Sequence, residues 1–154
     1  MASTAWVSLG RSGENTESLA SEVIRSLLPL PSSATNSRLM RAFWEERLLE
    51  EGWVKGLAVG NSRLSIGYAK ARIGMCIQMG NTSRVYADLL KLETLFRLKV
   101  IDQAVLVVPS DEYSTTLGTN YANFNRVEQD IQAFSPTISV PILLISVDNR
   151  RGTK

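Results

Sequence analysis

The segment Gly67 to Gln78, GYAKARIGMCIQ, holds two cations that could meet a phosphate, Lys70 and Arg72, then Cys76, read as a packed strand residue rather than a reactive thiol, and Gln78. Cys76 and Gln78 are two residues apart, a spacing that puts both side chains on one face of a strand. Just beyond it, Gly80-Asn81-Thr82-Ser83-Arg84 reads as a helix start. There Asn81, Thr82, the free backbone N–H groups and Arg84 all favour an anion. With Arg63 on the preceding stretch, the candidate phosphate contacts are Arg63, Lys70, Arg72, Asn81, Thr82 and Arg84. The competing reading is a scatter of solvated surface cations. Tyr68 and Tyr86 are read as packing groups, not base-stacking ones.

The composition limits the chemistry further. The chain has 154 residues, no histidine and a single cysteine, Cys76. Ser-His-Asp triads, Cys-His pairs, histidine zinc sites and an internal disulfide framework are therefore excluded. Hydrolysis would have to use carboxylates with a divalent metal, or a lysine base. The net charge of +2 is too small to identify a partner, so nucleic-acid binding requires a local patch. Apolar content of 44% and charged content of 21% suit one soluble domain spanning 1–154. No apolar run reaches the roughly 20 residues of a membrane span. The N-terminus lacks a basic-then-apolar signal layout, so a cytoplasmic location is expected.

The elements that must position these residues follow from periodicity. Residues 1–13 are small, polar and glycine-punctuated, and are expected to form a partly ordered arm. A helix capped by Asn15 or Thr16 carries Leu19, Val23 and Leu27 and ends at Pro29 and Pro31. A second, capped by Ser37, carries Leu39, Met40, Phe43, Trp44 and Leu48 and stops at Gly52. Its outer face holds Arg41, Glu45, Glu46, Arg47, Glu50 and Glu51. Trp53–Val59 and Arg63–Ala69 form a hairpin about Gly60-Asn61. Lys70-Ala71 then leads into an alternating strand, Arg72–Met79. Ser83–Leu98 is an amphipathic helix, and Ala104–Val108 is apolar throughout, as a strand covered on both faces must be. Ser110–Thr119 reads as a polar loop, Asn120–Phe134 as a helix and Val140–Val147 as a last strand. The tail 149–154 is basic and expected to be mobile. The fold class is α/β (α+β): a mixed β-sheet flanked by helices.

From Gly67 to Pro109 the chain reads GYAKARIGMCIQMGNTSRVYADLLKLETLFRLKVIDQAVLVVP. This resembles the PD-(D/E)XK nucleases, and more narrowly the BglII and BstYI group of restriction endonucleases. Members of that group carry D-F-x-K-x-R-x-x-x-E-x-Q, a glycine-asparagine turn, a D-L-L-K-like helix and a strand I-D-x-(A/G)-V-x-(V/I)-(V/L)-P. The resemblance implies a restriction-endonuclease-like core and a Mg²⁺ site built from the Asp and the Glu, with the Gln beside the attacking water. Here those positions are Gly67, Cys76 and Gln78, so only the last is retained and the motif is vestigial. Asp102 matches the I-D strand opening and is expected to cap or anchor that strand. The chain is also shorter than the group's enzymes, so insertions that read base edges are expected to be missing.

The expectation is a catalytically silent relative, without metal or other cofactor, that binds double-stranded DNA or regulates a nuclease or defence complex. One alternative is a Mg²⁺-dependent endodeoxyribonuclease with relocated ligands, such as Glu45 or Glu46 combined with Asp88. The other is a purely protein-binding subunit or inhibitor, including a silent protomer in a homodimer.

Overall fold

The computed structural model describes residues 5–10 and 15–149. The remainder of the arm, and the tail beyond Asn149, lie outside the described residues. The order is β1 (Trp6–Leu9), α1 (Thr16–Leu27), α2 (Ser37–Glu50), β2 (Val54–Ala58), β3 (Ser65–Lys70), β4 (Ile73–Ile77), α3 (Thr82–Arg97), β5 (Gln103–Pro109), α4 (Asp111–Leu117), α5 (Phe124–Ala133) and β6 (Ile142–Val147).

The strands form one six-stranded sheet in the order β1-β6-β5-β4-β3-β2. Strands β4, β5 and β6 are parallel, with β5 in the centre. The apolar run of β5 is explained by this position, because both of its faces are covered. Ala104, Leu106 and Val108 pack with α3 and α5, while Val105 and Val107 pack with α1 and α2. Strand β4 splits in the same way, with Met75 on the α1/α2 side and Cys76 on the α3 side. The sheet is mixed because β2 and β3 meet β4 as antiparallel hairpins at one edge, and β1 runs antiparallel to β6 at the other.

Helix α2 is held where it is by Trp44. The indole is fully buried, and its N–H donates to the Leu27 carbonyl at the end of α1 at 2.9 Å. That bond satisfies a carbonyl the helix end leaves without an intrahelical partner. The caps of α2, α3, α4 and α5 are Asn36, Asn81, Ser110 and Asn123, each accepting from a first-turn backbone N–H.

The structure corrects four expectations. Trp6–Leu9, assigned to a partly ordered arm, is a strand; it pairs residue by residue with Ile142–Ile145. The loop expected over Ser110–Thr119 contains α4, whose cap Ser110 and first-turn Asp111 and Glu112 suit a helix N-terminus. Arg63 lies in the connection before β3, which begins only at Ser65. The turn between β3 and β4 is Ala71-Arg72, not Lys70-Ala71. Both residues have positive φ (48° and 64°), as the shortest hairpin turns require.

Candidate nucleic-acid interface

Strands β3 and β4 pair only at Tyr68–Met75, Ala69–Gly74 and Lys70–Ile73, next to their turn. Beyond Tyr68 the two strands part. Ile66 and Ser65 pair with β2, while Cys76 and Ile77 pair with β5. Gly67 and Cys76 therefore face each other where the sheet opens, one position beyond the last β3–β4 pair. Gly67 is exposed, and a Cβ there would meet nothing closer than the Met75 carbonyl oxygen at 3.4 Å. Packing does not demand glycine at this position.

Cys76 is 3% exposed. Burial pushes its thiol far above the ordinary cysteine range, and the nearby Asp88 carboxylate adds to the shift. The group is a protonated, packed thiol rather than a nucleophile. Gln78 is also buried; its amide donates to Asp88 Oδ2 at 2.9 Å and accepts from the Gly80 N–H at 3.1 Å. Asp88, projecting from α3, is itself raised above the usual carboxylate range by burial, against opposing contributions from Gln78, Lys91 and Arg84. Cys76, Gln78 and Asp88 thus form one buried cluster beneath the opening.

The predicted cations divide into two sets. Lys70 is committed to α1 and the end of α2: its ammonium sits 2.8 Å from Glu22 Oε1 and 2.6 Å from the Glu51 carbonyl. Arg72 grips Asp102 with two bonds of 2.8 Å each and donates to the Lys99 carbonyl at 2.9 Å. Asp102 is the strand anchor expected of it, and Arg72 is its partner. Arg84 and Arg63 are exposed and have no acceptor among the described residues. Arg84 runs back over Gly80, whose Cβ position is 3.8 Å from the guanidinium. Asn81 caps α3 through Ser83, and Thr82 is buried with its hydroxyl on the Asn120 carbonyl. Thr82 is not available to a ligand.

Sequence reasoning missed Arg38 altogether and placed Arg41 on a solvated face. Both line a cleft of about 390 Å³ beside Gly67, together with Glu45, Lys55, Tyr68 and Ile77. Both also line an adjoining hollow of about 430 Å³ against Met79, Gly80 and Tyr121. Their spacing of three on a helix was the available signal, since it makes them neighbours on one face. Glu45, a proposed relocated ligand, forms an ion pair with Lys55. Tyr68, between them, has its phenol raised above the usual range, first by burial and then by Glu45.

A sheet that opens between an antiparallel hairpin strand and the edge of a parallel set, with helices on both faces, defines the restriction-endonuclease-like class. Within that class, the family model for restriction endonuclease BglII/BglIII matches residues 14–147, and the chain belongs to this family. Among solved structures, BglII complexed with a DNA 16-mer superposes with a TM-score of 0.76 at 9% identity, covering 98% of this chain and 78% of that one. Free BglII gives 0.70 at 13% identity, covering 98% and 82%. At these identities the likeness concerns the fold. No curated protein matches the chain.

Proposed function

We propose that this chain is a catalytically silent member of the BglII family that binds duplex DNA through the nuclease scaffold. The reading rests on the donor set at the parted strands: Gly67 supplies no side chain and Cys76 a buried, protonated thiol. Mg²⁺ is a hard cation that takes oxygen ligands, and a phosphodiester needs such divalent charge to stabilise its transition state. These two residues do not fit that ion, and among the described residues no three His, Cys, Asp or Glu side chains gather into a metal-binding group. Of the three acids offered as replacements, Glu45 is engaged with Lys55 and Asp88 with Gln78, and Glu46 is exposed and does not line the cleft beside Gly67. Uncommitted arginines beside the same opening favour a polyanion.

The test incubates purified protein with supercoiled plasmid in Mg²⁺ and Mn²⁺ while following binding of a labelled random duplex. Binding without cutting is the expected result. Cutting that disappears in Asp88→Asn would instead establish a working nuclease with a relocated carboxylate.

A further inference from the structure

We propose that Arg38 and Arg41 form a phosphate cradle over Gly67, supplying from α2 the positive charge that grips a duplex backbone without a metal ion. The proposal rests on the DNA-binding reading above and names the residues that carry it.

Four observations support it. First, neither guanidinium has a hydrogen bond or ion pair among the described residues, although each lines both hollows at the opening. Second, the one carboxylate in the lining of the first hollow, Glu45, is already neutralised by Lys55, which leaves two uncompensated positive charges. Third, their placement works against the helix. Arg38 sits in the first turn of α2, where a cation opposes the helix dipole, and its like charge three residues from Arg41 adds repulsion. Stability alone does not account for them there, and an anion bound between them relieves both penalties. Fourth, the support is rigid, because Trp44 at the next turn of α2 is fully buried and tied to Leu27.

The chemistry suits a phosphodiester. Guanidinium donors form a planar fork that matches phosphate oxygens, and they do so at any accessible pH. Gly67 lines the same hollow, is exposed, and sets no side chain of its own against the arginines. At the carboxyl end of β4, Met79 and Gly80 line the second hollow and extend the surface along the same strand. Open α/β sheets place their ligands at this end of their strands.

The experiment measures binding of a labelled random duplex by fluorescence anisotropy, in EDTA and in Mg²⁺, at several salt concentrations. It compares wild type, Arg38→Ala/Arg41→Ala, and a charge-matched control, Arg25→Ala/Arg126→Ala, whose exposed cations line neither hollow. Expected is a loss of about tenfold or more for the cradle pair, with the salt slope falling by about two and the control within about twofold. A second variant guards against misfolding: Gly67→Asp puts a carboxylate under the arginines at an open position, and should weaken binding in EDTA severalfold with melting unchanged. Equal losses in the cradle and control pairs would overturn the cradle and leave DNA binding standing. Binding only with Mg²⁺ would overturn its metal independence. No duplex binding by wild type in either condition would overturn the DNA reading itself and the cradle with it, and would point to a protein partner.

Discussion

The two ends of the parallel strands treat their polar groups in opposite ways. At the amino ends, every charged group carrying the architecture is partnered. Arg72 holds Asp102 and the Lys99 carbonyl, and Lys70 holds Glu22 and the Glu51 carbonyl. Glu93 accepts from the backbone N–H groups of Ser139 and Val140, from the Ser139 hydroxyl and from Arg97. At the carboxyl ends, Arg38, Arg41 and Arg84 lack acceptors among the described residues, while Glu45 pairs with Lys55 and Asp88 with the Gln78 amide and, at 4.0 Å, with Lys91. One end is closed on its own ion pairs, and the other leaves three arginines without acceptors among the described residues. Self-satisfied ion pairs have no free capacity for phosphate, so on the proposed reading the difference separates structural from binding cations better than charge or exposure does.

The largest expected effect lies at the closed end. Glu93 is 5% exposed, and replacing it with Gln removes the charge from a site of several convergent donors. A loss of about 2–4 kcal/mol in unfolding free energy is expected, measured by denaturant titration. Burial alone would raise this carboxyl, but the bonds from Ser139, Arg97 and Val140 prevail and hold it below the usual glutamate range. A lowered folded value means that its stabilisation is complete above the unfolded pKa and fades as pH falls through the folded one. Wild type should therefore lose stability on the acid side of the usual glutamate value, and Glu93→Gln should lose less there. Parallel acid profiles for the two proteins would remove Glu93 as the anchor.

Gly74 gives the next effect, also near the closed end. A Cβ there would stand 2.8 Å from Ile66 Cδ1, 3.1 Å from Ile101 Cδ1 and 3.3 Å from Leu92 Cδ2. Gly74→Ala should cost about 1–3 kcal/mol by overpacking. Unchanged melting would mean that the core under β4 yields more easily than its contacts suggest.

The comparison is sharpest in a pair of single substitutions. Arg72→Ala should lower Tm by freeing the Ala71-Arg72 turn from the loop before β5, and should leave duplex affinity within about twofold. Arg41→Ala should do the reverse, weakening duplex binding severalfold with Tm unchanged or higher. If Arg72→Ala weakens binding as much as Arg41→Ala, the two ends are not functionally distinct.

Asp88 offers a smaller contrast with Glu93 on the same helix. Its folded pKa is raised by burial, so its ionised form penalises the fold above that value, and the penalty is absent below the unfolded one. Asp88→Asn keeps an acceptor for Gln78, so it should melt at or above the wild-type temperature at neutral pH. That gain should vanish as pH falls below the usual carboxylate value. A lower Tm for the variant at neutral pH would mean that the Gln78 amide and the Lys91 ammonium, 4.0 Å away, together outweigh the cost of burying the charge.

Local pattern revealed much of this fold and little of its division of labour. The apolar run of β5, the alternation of β4 and the stripe of α3 were legible because each is set by burial over consecutive residues. Strand β1 was not, since its partner β6 lies at the far end of the chain and four residues carry no period of their own. Helix α4 was missed because seven residues make a weak periodic signal, although Ser110-Asp111-Glu112 announced its start. At the candidate site, residue types singled out Gly67, Cys76 and Gln78, which lie together where the strands part, but pairing decides which cations are free. Lys70 with Glu22, and Arg72 with Asp102, are contacts across 48 and 30 residues that no local window contains. Arg41 sits on the polar face of its helix like any solvated residue, and only the packing of α2 over the parted strands turns that face into a cleft wall.

The smallest effect is the one that best isolates the opening. Gly67 and Gly74 lie on neighbouring strands of the same hairpin, yet a Cβ at Gly67 meets only one carbonyl oxygen, at an ordinary contact distance. Gly67→Ala should therefore change stability by no more than about 0.5–1 kcal/mol, with a gain favoured because alanine restricts the unfolded chain. Its duplex affinity should match wild type, since a methyl group neither pairs with Arg38 or Arg41 nor fills the cleft. Set beside Gly67→Asp, which differs by a single carboxylate, it separates occupancy of the position from charge at it. Equal weakening by the two variants would mean that the floor must stay bare for backbone to approach. Weakening by Asp alone would mean that the arginines above it are what the phosphate meets.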